Sequence, residues 1–415
     1  MKSTKVLVLS ALGGALEIYD FIIFVFFAWI ISQLFFPPNM PDNLKILQSF
    51  GIFVTGYIAR PVGGIVMAHF ADRLGRKKIF LFGLMLMAIP TLLIGLLPTY
   101  QQIGYLAPIL LLILRVLHGA AIGGEVPGAW VFVAEHVQQQ KRGFFLGLLQ
   151  AGLTSGYLLG ALTITLISSL FSQSEILDYA WRIPFILGGM LAILAMYLRK
   201  WLNETPTFIK LKQQHQLSKY FPIRVLLVKY RQELIIAALL TSVLTSTVII
   251  TVVTMPTILQ QFFLMPTKKT FFLSSIGIVS LSVSCIIGGW LSDRIGAWKA
   301  FLIYCLLMPV GIWILMIVLQ KHTNLISYAY LFLGFMCGVV GIIPTILIKL
   351  FPAAVRVSGI SFAYNLIYSI LGALLPLVII ALMPLNIWSN VIIAVCTSMV
   401  GIITFQKFSK KNSIN

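Results

Sequence analysis

Residues 56–78 read GYIARPVGGIVMAHFADRLGRKK. An apolar run carrying one arginine, Arg60, stops at the charged turn Asp72-Arg73-Leu74-Gly75-Arg76-Lys77-Lys78, and a second apolar run starts beyond it. Gly75 allows a sharp bend, and the charges can bridge neighbouring helix ends. The order returns later in the chain, where Ser292-Asp293-Arg294-Ile295-Gly296 repeats Ala71-Asp72-Arg73-Leu74-Gly75. Arg142-Gly143 is likewise echoed by Arg356 with Gly359. The echoes lie 221 residues apart (72 to 293) and 214 residues apart (142 to 356), so the chain reads as two like-oriented halves.

The medium in which those halves fold follows from composition. Of 415 residues, 59% are hydrophobic and 10% charged, against about 25% charged in soluble domains. That polar surface cannot cover a water-facing globule, so lipid is the expected solvent. A membrane helix needs roughly 20 apolar residues, and apolar runs fall near 7–35, 46–70, 79–98, 104–136, 143–171, 181–202, 233–262, 270–292, 299–319, 326–350, 355–380 and 384–406. The first is too long and, with Glu17 and Asp20 inside it, too acidic for a cleaved signal. The one long polar connection, 203–232, separates an N-terminal six-helix bundle (1–202) from a C-terminal one (233–415). Expected is an all-α membrane protein of twelve transmembrane helices in two pseudo-repeats.

The formal charge of +19 does not mark a nucleic-acid binder, because the bases sit in short loops. With the N-terminus inside, alternate loops on the outer side hold only Lys45, Arg182, Lys268, Lys269 and Lys321, and Arg60 and Arg115 fall within spans. All other bases, Arg199 and Lys200 among them, are assigned to the inner side. This bias places both termini in the cytoplasm. Cys285, Cys305, Cys337 and Cys396 have no metal-ligand spacing and read as small packing residues.

Charge inside a span costs from about 2.5 to over 10 kcal/mol, so each such residue is a functional candidate. Glu17 and Asp20, flanking Tyr19, share one face of the first helix. Two carboxylates that close in low dielectric cannot both stay ionised, and a proton-coupled carrier needs such a group. A structural pairing with a buried arginine is the alternative. In the fourth run Arg115, His118, Ile122 and Glu125 form a stripe at spacings of three and four, suited to a water-filled cavity. Arg60 or Arg115 can hold a substrate carboxylate or an acid of the protein itself; an internal ion pair locking helices is the competing reading. His118 titrates in a useful range, although a histidine in a helix is commonly just hydrogen-bonded. Gly119, Gly123, Gly124 and Gly128 are spaced for close helix packing. Glu135, at the inner end of the fourth run, is a candidate partner for an arginine of the charged turn.

On these residues a resemblance rests. GYIARPVGGIVMAHFADRLGRKK, RVLHGAAIGGEVPGAWVFVAEH, KRGFFLGLLQAG and WRIPF…YLRKWLNETPTF resemble the metabolite:proton symporter family of the major facilitator superfamily, and within it the bacterial proline/glycine-betaine transporter group. FPAAVRVSGISFAYNLIYSILGALLPL resembles that family's eleventh helix, with Tyr364-Asn365 in the usual place. The likeness covers nearly the whole chain, more densely in its first half. It implies proton symport of a small zwitterion or organic acid, a substrate site between the halves at mid-membrane depth, and a central cavity that includes Glu17, Asp20, Arg115 and Glu125. The loop motif carries over to Asp72, Arg73, Gly75, Arg76 and Lys77. Three features depart from the pattern. His118 stands where the family often has Gln, Val126-Pro127 follows Glu125 in place of a small or aromatic pair, and the second motif, Asp293-Arg294 with Gly296, continues as GAWKA without a basic pair. The heptad extension of osmosensing members is not expected after KKNSIN.

The expectations are therefore a multi-pass inner-membrane transporter, monomeric, driven by the proton gradient without a cofactor or metal. Its partners would be a small solute, protons and lipid, with no nucleic acid. A proton antiporter exporting a metabolite or drug is the alternative, and the spans show no nucleophile–base set that would make an enzyme.

Overall fold

A computed structural model describes residues 3–214, 222–321 and 323–408. Its long apolar helices number 12: α1 (Thr4–Phe26), α2 (Leu47–Leu74), α3 (Arg76–Leu96), α4 (Leu106–His136), α5 (Gln139–Leu170), α6 (Arg182–Arg199), α7 (Arg231–Gln261), α8 (Thr267–Ile295), α9 (Ala297–Lys321), α10 (Ile326–Leu350), α11 (Ala353–Leu382) and α12 (Ser389–Phe408). Each answers to one expected run, all but the first to within about five residues at either end. Every peptide group must find its partner inside the segment when the solvent is hydrocarbon, which is why apolar runs of this length become helices. Large side chains such as Ile58, Leu117, Leu166, Met190, Phe272 and Trp313 face outward, as a lipid-bathed surface requires. The first run is broken at Phe27, and its tail forms a separate short helix, Ala28–Phe35. Part of the 203–232 connection, residues 215–221, lies outside the described residues; the rest forms short helices Pro206–Gln213 and Pro222–Lys229.

The two sets of six meet along α5 against α8 and α2 against α11. Small residues set the spacing. A Cβ at Gly143 or Gly147 would run into the backbone of Gly289 and Cys285, and one at Gly289 into Gly143, so α5 and α8 approach backbone to backbone. Within the first half, Gly119 and Gly123 of α4 lie against the backbones of Gly56, Arg60 and Gly64 of α2. This packing brings α2 and its arginine beside α4 and its polar stripe.

Buried charge is confined to one half. Among the described residues, the buried ionisable Asp, Glu, Lys and Arg side chains are Glu17, Asp20, Lys45, Arg60, Asp72, Arg76, Arg115, Glu125, Glu135 and Arg199, all in the first half of the chain and all but Lys45 within its six spans. The second half meets them with hydroxyls, aromatic rings and aliphatic side chains, and at the basic end with the partly buried Arg356, 2.9 Å from Glu135.

Candidate functional site: a cavity between the halves and two acid contacts

Between the halves lies a small cavity of about 30 Å³. Polar side chains on its wall are Glu17 (α1), Arg60 (α2), Gln150, Thr154 and Tyr157 (α5), and Tyr364 and Tyr368 (α11). An Arg60 Nη2 sits 3.9 Å from Glu17 Oε1, with both residues almost fully buried. The guanidinium lies 4.6 Å from the Tyr368 ring centroid and 5.8 Å from those of Tyr57, Tyr364 and Phe21. A desolvated cation over aromatic faces is held by about 2 kcal/mol or more. Arg60 is thus kept charged and in place while its bond to Glu17 stays long, and Arg60 Nε and Glu17 Oε2 have no hydrogen-bond partner.

The other mid-span charges sit beside this wall, not on it. Asp20 Oδ2 accepts a hydrogen bond from Thr91 Oγ1 at 3.1 Å, and its Oδ1 is unpartnered. Tyr19 turns away and donates to the Pro184 carbonyl at 3.1 Å. Arg115 donates to His118 Nδ1 at 2.9 Å and lies 3.5 Å from the Phe24 ring centroid. A guanidinium can only donate, so Nδ1 of His118 accepts and its ring proton is on Nε2. The expected stripe is buried as a whole, but among its members only Ile122 reaches the cavity.

Glu125 corrects the expectation most. Its Oε1 is bound by Nη2 of Arg199 at 2.6 Å, not by Arg115 or Arg60. Arg199, grouped with the inner-loop bases on sequence grounds, is fully buried; it donates to the carbonyls of Leu9 (3.0 Å) and Ser10 (3.1 Å) and lies 3.6 Å from the Phe80 ring centroid. A cation at a span end can point into water or inward, and here four inward acceptors decide. The signal available in the chain was Gly13, where any Cβ would collide with that guanidinium. Asn365 also departs from the cavity reading. Its Nδ2 donates to the Gly123 carbonyl at 2.6 Å, while Ser361 Oγ donates to the same carbonyl at 3.0 Å. Both tie α11 to α4 through the gap the glycines leave.

At the end of the bundle bearing the basic loops, two carboxylates cross between the halves in a reciprocal pattern. Asp72, ending α2, accepts from Ser358 N (3.0 Å) and Oγ (2.8 Å) near the start of α11. Asp293, ending α8, accepts from Gly143 N and Phe144 N, each at 2.8 Å, at the start of α5. Asp293 thus satisfies two orphan amides and Asp72 one amide and a hydroxyl at a helix N-terminus of the opposite half, where the helix dipole favours an anion. Around Asp72 the network is richer: Arg76 lies 3.8 Å from Asp72 and 3.2 Å from Glu135, and Arg356 lies 2.9 Å from Glu135. Arg76 Nη2 also donates to the Ala353 carbonyl at 2.9 Å. Lys77 N is held by Glu204 at 3.1 Å, which the sequence reading did not single out. Gly75 and Gly296 have φ of +117° and +93°, conformations that favour glycine. Arg73 and Arg294 are exposed, Arg294 with its guanidinium 5.5 Å from the Trp290 ring.

Residues missed by sequence reasoning share a legible pattern. Gln150, Thr154 and Tyr157 fall at i, i+4 and i+7 of one α5 face, and Tyr368 stands one turn beyond Tyr364. They are uncharged, and so drew no notice beside the buried charges.

Two six-helix halves with a cavity between them and reciprocal carboxylate–helix contacts at one end point to a transporter and not an enzyme, and the family match agrees. Residues 21–376 match the family model described as Major Facilitator Superfamily, and the chain belongs to that superfamily. It is 33% identical to the inner membrane metabolite transport protein YhjE of Escherichia coli (strain K12), over 89% of this chain and 85% of that one. It is 31% identical to the glycine betaine/proline/ectoine/pipecolic acid transporter OusA of Dickeya dadantii (strain 3937), over 89% and 75% of the two chains. Its fold matches the proton:xylose symporter XylE bound to 6-bromo-6-deoxy-D-glucose with a TM-score of 0.80, at 16% identity over 98% of this chain and 95% of that one. The chain is a secondary transporter with 12 membrane spans, acting on a small solute in an inner-membrane setting.

Proposed function

We propose that the protein takes up a small zwitterionic metabolite, or a related organic acid, together with a proton, by alternating access. The carrying observation is the loosely joined Arg60–Glu17 pair on the wall of the cavity between the halves. A zwitterion inserted there sets its carboxylate on Arg60 and its ammonium toward Glu17, leaving no charge uncompensated. Arginine suits the first task because it presents a planar fork to a carboxylate. Tyr157, Tyr364 and Tyr368 offer rings to an alkylated ammonium. Relatives named for betaine and proline transport support this choice of solute class.

Glu17 and Asp20 are the proton-carrying candidates. Arg115, with its neighbour His118, is the cation nearest in function to Asp20, whose free Oδ1 is unpartnered. The charge of the basic loops supports a cytoplasmic position for the latched end and both termini. In that orientation the latches hold the inner gate shut, and their opening releases solute inside. The protein works without a cofactor and as a monomer in this reading.

The test is uptake of labelled proline and glycine betaine into proteoliposomes under an imposed pH gradient. Accumulation that collapses with a protonophore supports symport. Glu17→Gln should abolish accumulation. Solute-induced alkalinisation of the vesicle lumen would overturn symport in favour of exchange for protons.

A further inference from the structure

A groove of about 490 Å³ opens on the outer side of α1 and α6 at the basic end, away from the central cavity. Its walls are Thr4, Lys5, Val8 and Leu9 of α1, with Leu198 and Trp201 at the end of α6 and in the turn that follows it. The first and sixth spans run in opposite directions, so Thr4, Lys5 and Trp201 share one level and Val8, Leu9 and Leu198 lie one turn deeper. Contacts at both levels agree: Lys5 Nζ stands 5.8 Å from the Trp201 ring centroid, and Arg199, next to Leu198, donates to the Leu9 carbonyl at 3.0 Å. The groove is therefore polar and aromatic at its mouth and aliphatic within. Val8 and Trp201 are 56% and 62% exposed, so no protein covers it.

Positive charge gathers at the same mouth. Lys200 Nζ lies 5.2 Å from the Tyr197 ring centroid, and Lys77 Nζ donates to the Lys200 carbonyl at 3.0 Å. Among the described residues, neither Lys5, Lys77 nor Lys200 forms an ion pair with a carboxylate. The acid of the neighbouring turn, Glu204, accepts from Lys77 N and Thr205 N instead. A second outward groove, of about 480 Å³ between α8 and α10, makes the contrast. Its wall, from Phe272 to Phe335, holds no ionisable side chain.

We propose that the α1–α6 groove binds an anionic phospholipid, its phosphate held at Lys5 beside Trp201 and one acyl chain laid along Val8, Leu9 and Leu198. Basic side chains at a membrane surface attract anionic headgroups, and tryptophan settles at headgroup level. Lysine suits a phosphate as a compact charge with three donors, and the Thr4 hydroxyl is a further donor at the mouth. A lipid with a cationic headgroup gains less, because its ammonium meets the lysines. Lysines that served topology alone would not need a groove graded from polar to aliphatic. The inference goes beyond the uptake reading and stands without it. The site also has a structural task. Leu9 on its wall carries a carbonyl that holds Arg199, so a seated lipid braces α1 against α6 where that buried cation is anchored.

Fluorescence quenching of Trp201 by brominated lipid tests the site. The protein is reconstituted in mixed vesicles of phosphatidylcholine and phosphatidylglycerol, with the bromines on one lipid or the other at equal mole fraction. The chain has 8 tryptophans, so the part due to Trp201 is the difference from Trp201→Phe. One lysine at a membrane surface favours an anionic lipid about fivefold. Brominated phosphatidylglycerol should therefore quench Trp201 at least about fivefold more than brominated phosphatidylcholine. Lys5→Gln should cut that preference about fivefold, and Lys5→Arg should keep it. A reporter in the uncharged groove, Phe335→Trp added to Trp201→Phe, should be quenched equally by the two lipids. Equal quenching of Trp201, or a preference unchanged by Lys5→Gln, overturns the proposal. So does a preference as large at Phe335→Trp, because a chain of net charge +19 would then gather anionic lipid everywhere. As a second measurement, phosphatidylglycerol added to the detergent-solubilised protein should raise the melting temperature of wild type and Lys5→Arg more than that of Lys5→Gln. An equal rise in all three also overturns the site.

Discussion

Replacing Asp293 by Asn should unlatch the basic end of the molecule. The carboxylate accepts two backbone hydrogen bonds across the interface, from Gly143 N and Phe144 N, both at 2.8 Å. Hydrogen bonds to a charged group are worth about 1.5–3 kcal/mol each, against about 1 for a neutral one. The amide keeps one acceptor oxygen and turns an NH₂ toward the second amide, so the closed state loses about 2 kcal/mol at least. The open state loses nothing, because these bonds exist only while α8 and α5 meet. At 1.4 kcal/mol per decade, the open-to-closed ratio rises roughly 30-fold. The measurement is electron–electron distance between spin labels at Lys78 and Lys299, both exposed and in opposite halves, in a background where the exposed Cys396 is Ser. Asp293→Asn should move most of the distribution to longer distances, and Asp72→Asn should do so as well. An unchanged distribution in both variants would refute the assignment of these acids as latches and leave them as simple helix caps.

Other expectations concern packing and the polar interior. Gly123→Ala puts a methyl group into the backbone of Arg60 and Gly64; overpacking of this kind costs about 1–3 kcal/mol, and the detergent-solubilised protein should melt several degrees lower with α2 displaced. His118→Ala removes the acceptor for Arg115 Nη1 and leaves a buried donor unmet, at about 1–3 kcal/mol, whereas His118→Gln restores an acceptor and should melt close to wild type; equal melting of the alanine variant would show that Arg115 finds another partner. Tyr19→Phe deletes one hydrogen bond to the Pro184 carbonyl, away from the cavity wall. It should lower thermal stability by about 1 kcal/mol and leave the apparent affinity for solute unchanged in uptake measurements.

How much of this was legible in the chain differs by level. The twelve spans and the helical class follow from residue order alone, because hydrocarbon accepts only segments that satisfy their own backbone. The repeated Asp-Arg-x-Gly turn is the mark on which the reading of two halves rests, and the glycines at 119 and 123 announced a close helix contact. Arg60 and Glu17 were legible as buried charges, since each lies deep within an apolar run. Their facing across the cavity was not, because a helix pattern gives the face of a residue and not the helix that meets it.

Pairing was decided by the tertiary structure. Arg199 lies 74 positions from Glu125 (125 to 199) and at the edge of its span, where an inward and an outward rotamer fit the sequence equally well. Only the packed bundle supplies the Leu9 and Ser10 carbonyls, the Phe80 ring and the space over Gly13 that draw it inward. The same holds for Asn365, whose donor finds the Gly123 carbonyl only because α2, α4 and α11 meet at glycine. Composition and period set where each helix runs and which residues are apolar. Which charge neutralises which depends on distances of a few ångströms between helices far apart in the chain, and those exist only once the two halves have packed.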